Sequence, residues 1–229
     1  MQGGGGKNRR ENGDGEMRAM GIDVSLVRRL DVVVLSEVGQ IEYGPVKADT
    51  AEIAAVLRDA KPDVVAIDSP PQWGTNGKSR IIETRLRKLG INIYSCPEDP
   101  GNHPFYQWMR EGFRVFEAVA AEGFSLYRGH PITGRQSIEV FPHASAVTLR
   151  GSLPAKGILK QSWRRRVLVE AGVQVDALNT VDQIDAGLAA LTGTRFLEGQ
   201  FSCVGEPGQA VLVLPIARMV SVPYRRDPN

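Results

Sequence analysis

The sequence has little cysteine: of its 229 residues, only Cys96 and Cys203 are cysteines, and they lie far apart. Neither belongs to a Cys-x-x-Cys pair or to a group of cysteines and histidines with the spacing of zinc ligands. Such spacing is typical of zinc sites, so we do not expect one, and two distant cysteines exclude a disulfide scaffold. Low cysteine content is typical of a reducing compartment, and we predict a cytoplasmic location.

Long hydrophobic runs are also missing. No stretch approaches the ~20 apolar residues of a membrane-spanning helix, so we predict no membrane partner. Residues 1–16 contain glycine, asparagine and charged residues but lack the apolar segment of a signal peptide. We expect a disordered tail over residues 1–16, with translation from Met17 or Met20 as an alternative. Residues 17–229 are expected to form one domain.

Neither sign of charge dominates the sequence. The net charge of +2 is too small to indicate a partner. Hydrophobic residues make up 42% of the chain, which suffices for the core of a globular protein. Evidence for function must therefore come from local patterns of residues.

The first third of the sequence predicts a small sheet. Strand-like segments over residues 18–23, 31–36 and 41–46 are joined by short links, as in an antiparallel meander. Asp49 and Glu52 have the spacing of a capping box at the start of a helix. The apolar run Val64–Ile67 is typical of a strand buried on both faces. If this strand returns parallel to the first, the sheet is mixed and Asp23 and Asp68 lie side by side.

The rest of the sequence alternates between helical patterns and short apolar runs. Helices are expected over residues 79–89, 105–122, 160–171 and 180–192, with another beginning at Pro142, and strands over 91–94, 137–141 and 211–214. Glycines follow the helical patterns as stop signals, among them Gly193. The prediction is an α/β protein with a mixed sheet and flanking helices.

Four aspartates stand out from this arrangement. Asp23 and Asp68 follow strands, and Asp182 and Asp185 share one face of a late helix. Singly, each has a simpler explanation: a turn for Asp68, the helix dipole for Asp182 and a solvated face for Asp185. Together they favour a site for Mg²⁺ or Mn²⁺, hard cations that prefer oxygen ligands. Two such ions can activate water and stabilise the leaving oxygen in phosphodiester cleavage.

The motifs around these aspartates resemble those of the ribonuclease-H-like superfamily. The Asp-x-x-Asp-Ala helix is similar to that of Holliday-junction resolvases of the RuvC type. The chain from about Met17 to Pro215 more closely resembles a family of predicted nucleases, domain-of-unknown-function family 429. This resemblance is carried by Gly21-Ile22-Asp23, Ile67-Asp68-Ser69-Pro70, Gly77-Lys78-Ser79-Arg80 with Glu83-x-x-Leu86-Arg87, Glu139-Val140-Phe141-Pro142-His143-Ala144, and Asp182-x-x-Asp185-Ala186 with Ala190-Leu191-Thr192.

The resemblance implies a ribonuclease-H-like mixed sheet whose second strand is antiparallel to the rest. It also implies a metal-dependent nuclease, although fold alone does not establish activity. The sequence departs from the family near its end. Gln209-Ala210 stand where the family tends to have Glu-Gly, and Glu206 is nearby but offset.

Three more residues are candidates for the catalytic site. Glu83 is a candidate metal ligand or water-holding group, or else it pairs with Arg87 on the same helix. Glu139 is expected to have a raised pKa suited to acid–base chemistry, or else to be exposed on an edge strand. His143 is a candidate general acid or phosphate ligand, or else it bonds to the backbone at a helix start.

Two basic segments are candidates for nucleic-acid binding. Lys78 and Arg80, at a helix start, are expected to contact phosphate, although the full P-loop pattern is missing because Gln72 replaces its first glycine. Arg164-Arg165-Arg166 adjoin Trp163, so phosphate neutralisation could be combined with base stacking. The alternative is a solvated helix face, since three consecutive side chains cannot all point one way.

The sequence thus favours a metal-dependent nuclease or phosphodiesterase that acts on nucleic acid. Asp23, Asp68 and Asp185 are the expected core ligands, with Asp182 completing the set. One alternative is a non-catalytic nucleic-acid or nucleotide-binding module of the same fold. Another is phosphoryl transfer to a small nucleotide, as in sugar kinases, but those enzymes need two such domains and a longer chain.

Overall fold

A mixed sheet occupies the centre of the molecule. The structure, a computed structural model, describes residues 16–26, 29–75 and 77–228, so the expected disordered tail lies outside the described residues except for Glu16. The strands are β1 (Arg18–Asp23), β2 (Leu30–Ser36), β3 (Ile41–Ala48), β4 (Val64–Asp68), β5 (Ser125–Leu126), β6 (Gln136–Glu139), β7 (Ser202–Val204) and β8 (Leu212–Leu214).

Helices cover both faces of this sheet. They are α1 (Ile53–Ala60), α2 (Ile81–Lys88), α3 (Gln107–Ala121), α4 (Pro142–Arg150), α5 (Lys160–Glu170) and α6 (Val181–Leu197), with single 3₁₀ turns at Thr50–Glu52 and Pro104–Tyr106. Asp49 and Thr180 make the capping boxes expected from the sequence, with Glu52 and Gln183. No helix in the described part of the chain is long and apolar enough to cross a membrane.

The topology confirms the ribonuclease-H-like mixed sheet. The strand order is β3-β2-β1-β4-β6-β8-β7, with β5 beside β6. β4 is parallel to β1, and β6 and β8 continue in that direction, whereas β2 is antiparallel to its neighbours β1 and β3. β7, which the sequence did not predict, is a further antiparallel strand at the edge. The parallel pairing places Asp23 opposite Asp68.

Successive side chains of β1 point to opposite faces of the sheet and therefore pack in two different layers. Met20 and Ile22 join the core beneath α1 and α3, while Ala19 and Gly21 face α6. Gly21 is required there, because an added Cβ would lie 2.0 Å from the carbonyl oxygen of Ala186. The close approach of α6 to the sheet therefore requires a residue without a side chain at position 21.

Two local predictions are wrong. Gly193 does not end α6 but lies within it, where an added Cβ would meet the Ala19 Cβ at 2.9 Å; close packing on the sheet overrides the stop signal. Residues 91–94 are not a strand. The backbone of this segment bonds to α2 instead of a sheet, since Ile91 donates to the Leu86 carbonyl and Arg87 donates to the Ile93 carbonyl.

Candidate functional site

Three aspartates lie in a row where β2, β1 and β4 meet. Asp23 is paired with Asp31 across the antiparallel β1–β2 ladder and with Asp68 across the parallel β1–β4 ladder. Parallel strands end at the same edge of a sheet, which is where α/β proteins usually bind ligands. The strand pairing alone therefore brings three carboxylates to one edge.

Helix α6 adds two more carboxylates over this row. Thr180 caps the helix, so Asp182 lies in its first turn and Asp185 on the same face three residues later. Ligand oxygens of Asp23, Asp31 and Asp182 all lie within 4.8 Å of one another. Asp23 and Asp182 were expected to share a site, whereas Asp31 was not identified. Its position at the start of the second predicted strand, opposite the end of the first, was the signal that could have found it.

Asp31 has a different environment from the other acids. It is fully buried, and Lys47 of β3 donates a hydrogen bond to its Oδ2. A lysine on the neighbouring strand therefore compensates part of the negative charge at this end of the cluster. The set still consists of hard oxygen donors at a spacing that suits Mg²⁺ or Mn²⁺, so the residues fit such an ion.

Burial and mutual repulsion raise the pKa values of acids in this row. The pKa of Asp23 is raised well above its ordinary value, first by burial and then by the negative charges of the neighbouring acids. Asp68 is partly exposed to the cleft, yet burial of its carboxyl and repulsion from Asp185 raise its pKa to about 8. Without a cation, these carboxyls therefore tend to keep a proton near neutral pH.

Asp185 faces two cations from α5. Arg164 Nη1 donates to both carboxylate oxygens of Asp185, and Lys160 Nζ lies 3.4 Å from Oδ2. Only 3% of Arg164 is exposed, and its buried Nε has no hydrogen-bond partner among the described residues. Lys160, one turn before Arg164, belongs to the same basic segment that the sequence marks as a candidate for nucleic-acid binding.

The three consecutive arginines point in different directions. Arg164 enters the acidic site, Arg165 donates to the Leu178 carbonyl, and Arg166 is exposed. Trp163 is 4% exposed and belongs to the core, which corrects the expectation that it stacks on a base. Only one of the three arginines therefore faces the site.

A second charged network lies beside the aspartates. The Arg80 guanidinium donates to both oxygens of Glu139 at 2.6 and 2.9 Å and, through Nε, to Glu83 at 2.8 Å. Both glutamates are buried, so the alternatives of a Glu83–Arg87 pair and of an exposed Glu139 are wrong. Burial raises the pKa of Glu139, although Arg80 opposes this shift. Because two carboxylates already bind Arg80, its expected phosphate contact stays a prediction, as do catalytic roles for Glu83 and Glu139.

The remaining two candidates lie apart from the acids. His143 packs between Phe141 and Trp163, and burial together with Arg164 and Lys160 lowers its pKa to about 4. It is therefore neutral near pH 7, and it does not line the cleft formed by the described residues. Lys78 is exposed in the turn before α2 and also lies outside that lining. The roles expected for both residues stay predictions.

The acids open into a cleft of about 410 Å³. One wall carries the carboxylates, Lys160 and Arg164, and another carries aromatic side chains that include Tyr94, Phe105 and Trp108. Tyr94 is 64% exposed and contacts Phe105 edge-on with ring centroids 5.0 Å apart. The sequence does not identify this aromatic wall, because periodicity gives no information about which residues line a cleft.

Comparisons with known proteins identify a family and one similar solved structure. The family model described as "Protein of unknown function (DUF429)" matches residues 21–209. The chain is also similar to a Thermus thermophilus RuvC structure, with 17% identity over 83% of this chain and 99% of that one, at a TM-score of 0.40. No curated protein matches the chain.

Proposed function

The chain belongs to the DUF429 family of proteins of unknown function, and from its site we propose that it is a metal-dependent nuclease that hydrolyses phosphodiester bonds of nucleic acid. One observation carries the proposal. Asp23, Asp31 and Asp182 bring ligand oxygens within 4.8 Å of one another, and Asp23 and Asp182 line an open cleft together with Asp68. Burying so many like charges together is unfavourable unless a cation is present.

Mg²⁺ or Mn²⁺ is the cofactor that this donor set suits. Asp23, Asp31 and Asp182 would hold the ion, and all three offer the hard carboxylate oxygens that such ions prefer. When bound, the ion supplies Lewis-acid activation of water and of the phosphoryl group. The protein contributes the fixed geometry, since two of the ligands lie on paired strands and the third on a helix packed against them.

Asp68 is the proposed proton acceptor. It ends β4 beside Asp23, keeps partial exposure to the cleft, and has its pKa raised to about 8 by burial. In the molecules in which it is ionised, such a carboxyl is a stronger base than an ordinary aspartate and accepts a proton from an attacking water more effectively. Asp68 would therefore take this proton as the water oxygen bonds to phosphorus and the bond from phosphorus to the leaving sugar oxygen breaks.

Nucleic acid is the substrate class favoured by the walls of the cleft. Lys160 and Arg164 carry the positive charge that attracts phosphate. Tyr94 and Phe105 are exposed at the cleft, and aromatic faces of this kind stack on unpaired bases. The free thiols of Cys96 and Cys203 support the cytoplasmic location that we propose for this activity.

A non-catalytic nucleic-acid-binding module is the second candidate. It is favoured by the ion pairs that compensate two of the acids without metal, Asp31 with Lys47 and Asp185 with Arg164. In that case the acids would serve the fold, and binding would not require a divalent ion.

Calorimetry with Mn²⁺ followed by cleavage assays tests the proposal. We expect saturable binding to the parent and a loss of at least about tenfold in affinity in Asp23→Asn. Asp59→Asn, an exposed aspartate on α1, is the matched control. Labelled single strands, duplexes and four-way junctions should be cut with Mn²⁺ but not with EDTA. A parent that binds these nucleic acids equally well in EDTA and cuts none of them would favour the binding module.

A further inference from the structure

The acids of the site divide into two groups. Asp23, Asp31 and Asp182 share one cluster, whereas Asp185, on the same helix face as Asp182, is held by Arg164 and Lys160. A second metal ion at about 3.5–4 Å from the first would need a carboxylate on that side of the cleft. Asp68 and Asp185 are the acids on that side, and Arg164 already binds both oxygens of Asp185.

Arg164 is fixed in this position. It is 3% exposed and projects from α5, which packs against the α6 helix that carries Asp185. Moving the guanidinium away would leave a buried carboxylate without its partner, which is strongly unfavourable. Lys160 lies one turn earlier on α5, and its side chain is 60% exposed. The pair thus combines an immobile inner cation with an outer one that is free to reach into the cleft.

Not all N–H donors of Arg164 have an acceptor among the described residues, and this points to a bound ligand. A guanidinium has five N–H donors, and Nη1 serves Asp185. The buried Nε has no hydrogen-bond partner among the described residues, although buried polar atoms are normally paired. Arg164 also lines the cleft together with Asp68. A phosphate oxygen that enters beside Asp68 would supply an acceptor that matches guanidinium geometry.

We infer that Arg164 and Lys160 take the place of a second metal ion: one ion is held by Asp23, Asp31 and Asp182, and the cation pair binds the phosphate from the opposite side. This inference rests on the proposed nuclease function, and it assigns Asp185 a different role. Asp185 is a positioning residue for Arg164 instead of the metal ligand expected from the sequence. A fixed cation near the phosphate stabilises the charge that develops during transfer, as a metal ion would.

The number of bound ions tests the inference without a catalytic readout. Mn²⁺ titration followed by calorimetry and electron paramagnetic resonance should give one ion per parent chain. Asp185→Asn should keep that ion with an affinity close to the parent's, while Asp182→Asn should lose at least about tenfold. Two ions in the parent, or loss of an ion in Asp185→Asn, would overturn the inference and leave the nuclease proposal standing. A parent that binds no ion would overturn both.

The phosphate contact has its own test in the salt dependence of binding. The probe is a fluorescein-labelled single-stranded oligonucleotide bound in Ca²⁺. Each lost phosphate contact reduces the slope of log affinity against log salt by about 0.7 for single strands. Lys160→Met, whose side chain is exposed enough to be replaced safely, should show this reduction, and Lys88→Met, exposed on α2, should not. Equal slopes for the parent and Lys160→Met would mean that Lys160 does not contact the phosphate.

Discussion

Asp23 and Asp31 lie directly opposite each other across the antiparallel ladder of β1 and β2. Like charges at directly opposed positions destabilise a sheet, so a structural role alone does not account for this pair. Lys47 compensates one oxygen of Asp31, and the pKa of Asp23 is raised by burial and by its acidic neighbours. The arrangement costs stability in the absence of a cation, which fits the metal site that we propose.

The first prediction concerns Asp31, which only the strand pairing reveals. Asp31→Asn should lower Mn²⁺ affinity by at least about tenfold, because it removes one of three clustered carboxylates. Calorimetry measures this directly. Asp63→Asn, on the loop before β4, is a control that also removes an aspartate near the sheet. Unchanged affinity in Asp31→Asn would remove this residue from the metal site.

The second prediction is a dependence of metal-free stability on pH. The pKa of Asp68 is about 8 in the folded protein, against an ordinary value of 3.8, so the folded state holds a proton that the unfolded state releases. Stability is therefore greatest below the unfolded pKa and falls as the pH rises, until Asp68 is ionised in both states above about pH 8.

Thermal unfolding in EDTA measures this effect. The melting temperature should fall between about pH 5 and pH 8. Asp68→Asn should make this fall shallower, because the substituted side chain does not titrate, while Asp23 still contributes. Mg²⁺ should also raise the melting temperature most at the alkaline end, where the carboxyls bind it without first releasing protons. A parent profile that rises over this range would contradict the raised pKa.

The third prediction concerns the buried Arg80 network. Arg80→Met leaves Glu83 and Glu139 buried without their shared cation, and breaking a buried pair in this way typically costs about 3–5 kcal/mol. Urea unfolding should show a loss of that order. Lys88→Met, which replaces an exposed lysine on α2, should cost under about 1 kcal/mol. Equal losses would mean that Arg80 contributes no more than a surface residue.

Much of the fold follows from local patterns in the sequence. The capping boxes at Asp49 and Thr180, and the apolar run that becomes β4, are local signals, and the structure agrees with each. The prediction failed where distant contacts decide the outcome. Gly193 has the pattern of a helix stop, but the helix continues across it; the glycine is there because a Cβ would lie 2.9 Å from the Ala19 Cβ.

The site was predictable only in part, because some of its residues are also positioned by distant contacts. Asp23 and Asp68 follow two strands whose parallel return could be inferred from connection lengths. Asp31 requires the register of β1 against β2, which periodicity does not define to a single residue. Of the three consecutive arginines, only packing of α5 on α6 determines that Arg164 faces the acids.

The fourth prediction concerns the aromatic wall of the cleft. Tyr94→Ala should weaken binding of single-stranded oligonucleotides by about 1–3 kcal/mol if a base stacks on this exposed ring. Fluorescence anisotropy in Ca²⁺ measures the affinity. Val38→Ala, 61% exposed on the turn between β2 and β3, is the control for loss of exposed apolar surface. An affinity equal to that of the control would mean that no base stacks on Tyr94.

The fifth prediction links packing to the site through Gly21. An alanine Cβ at this position would lie 2.0 Å from the Ala186 carbonyl oxygen and 2.3 Å from the Ala190 nitrogen, both backbone atoms of α6. The helix must therefore move away from β1 and carry Asp182 with it, so Gly21→Ala should lose both stability and Mn²⁺ affinity.

Gly187→Ala is the matched control on α6 itself. Its Cβ would meet only the terminal methyl groups of Leu178 and Leu168, at 3.0 and 3.3 Å, and flexible side-chain ends can shift. Alanine also has a higher helix propensity than glycine, by about 1 kcal/mol, which offsets part of the crowding. Thermal unfolding and Mn²⁺ calorimetry should therefore separate the two variants clearly. If Gly21→Ala binds Mn²⁺ as tightly as Gly187→Ala, the metal ligands do not depend on the close approach of α6 to the sheet.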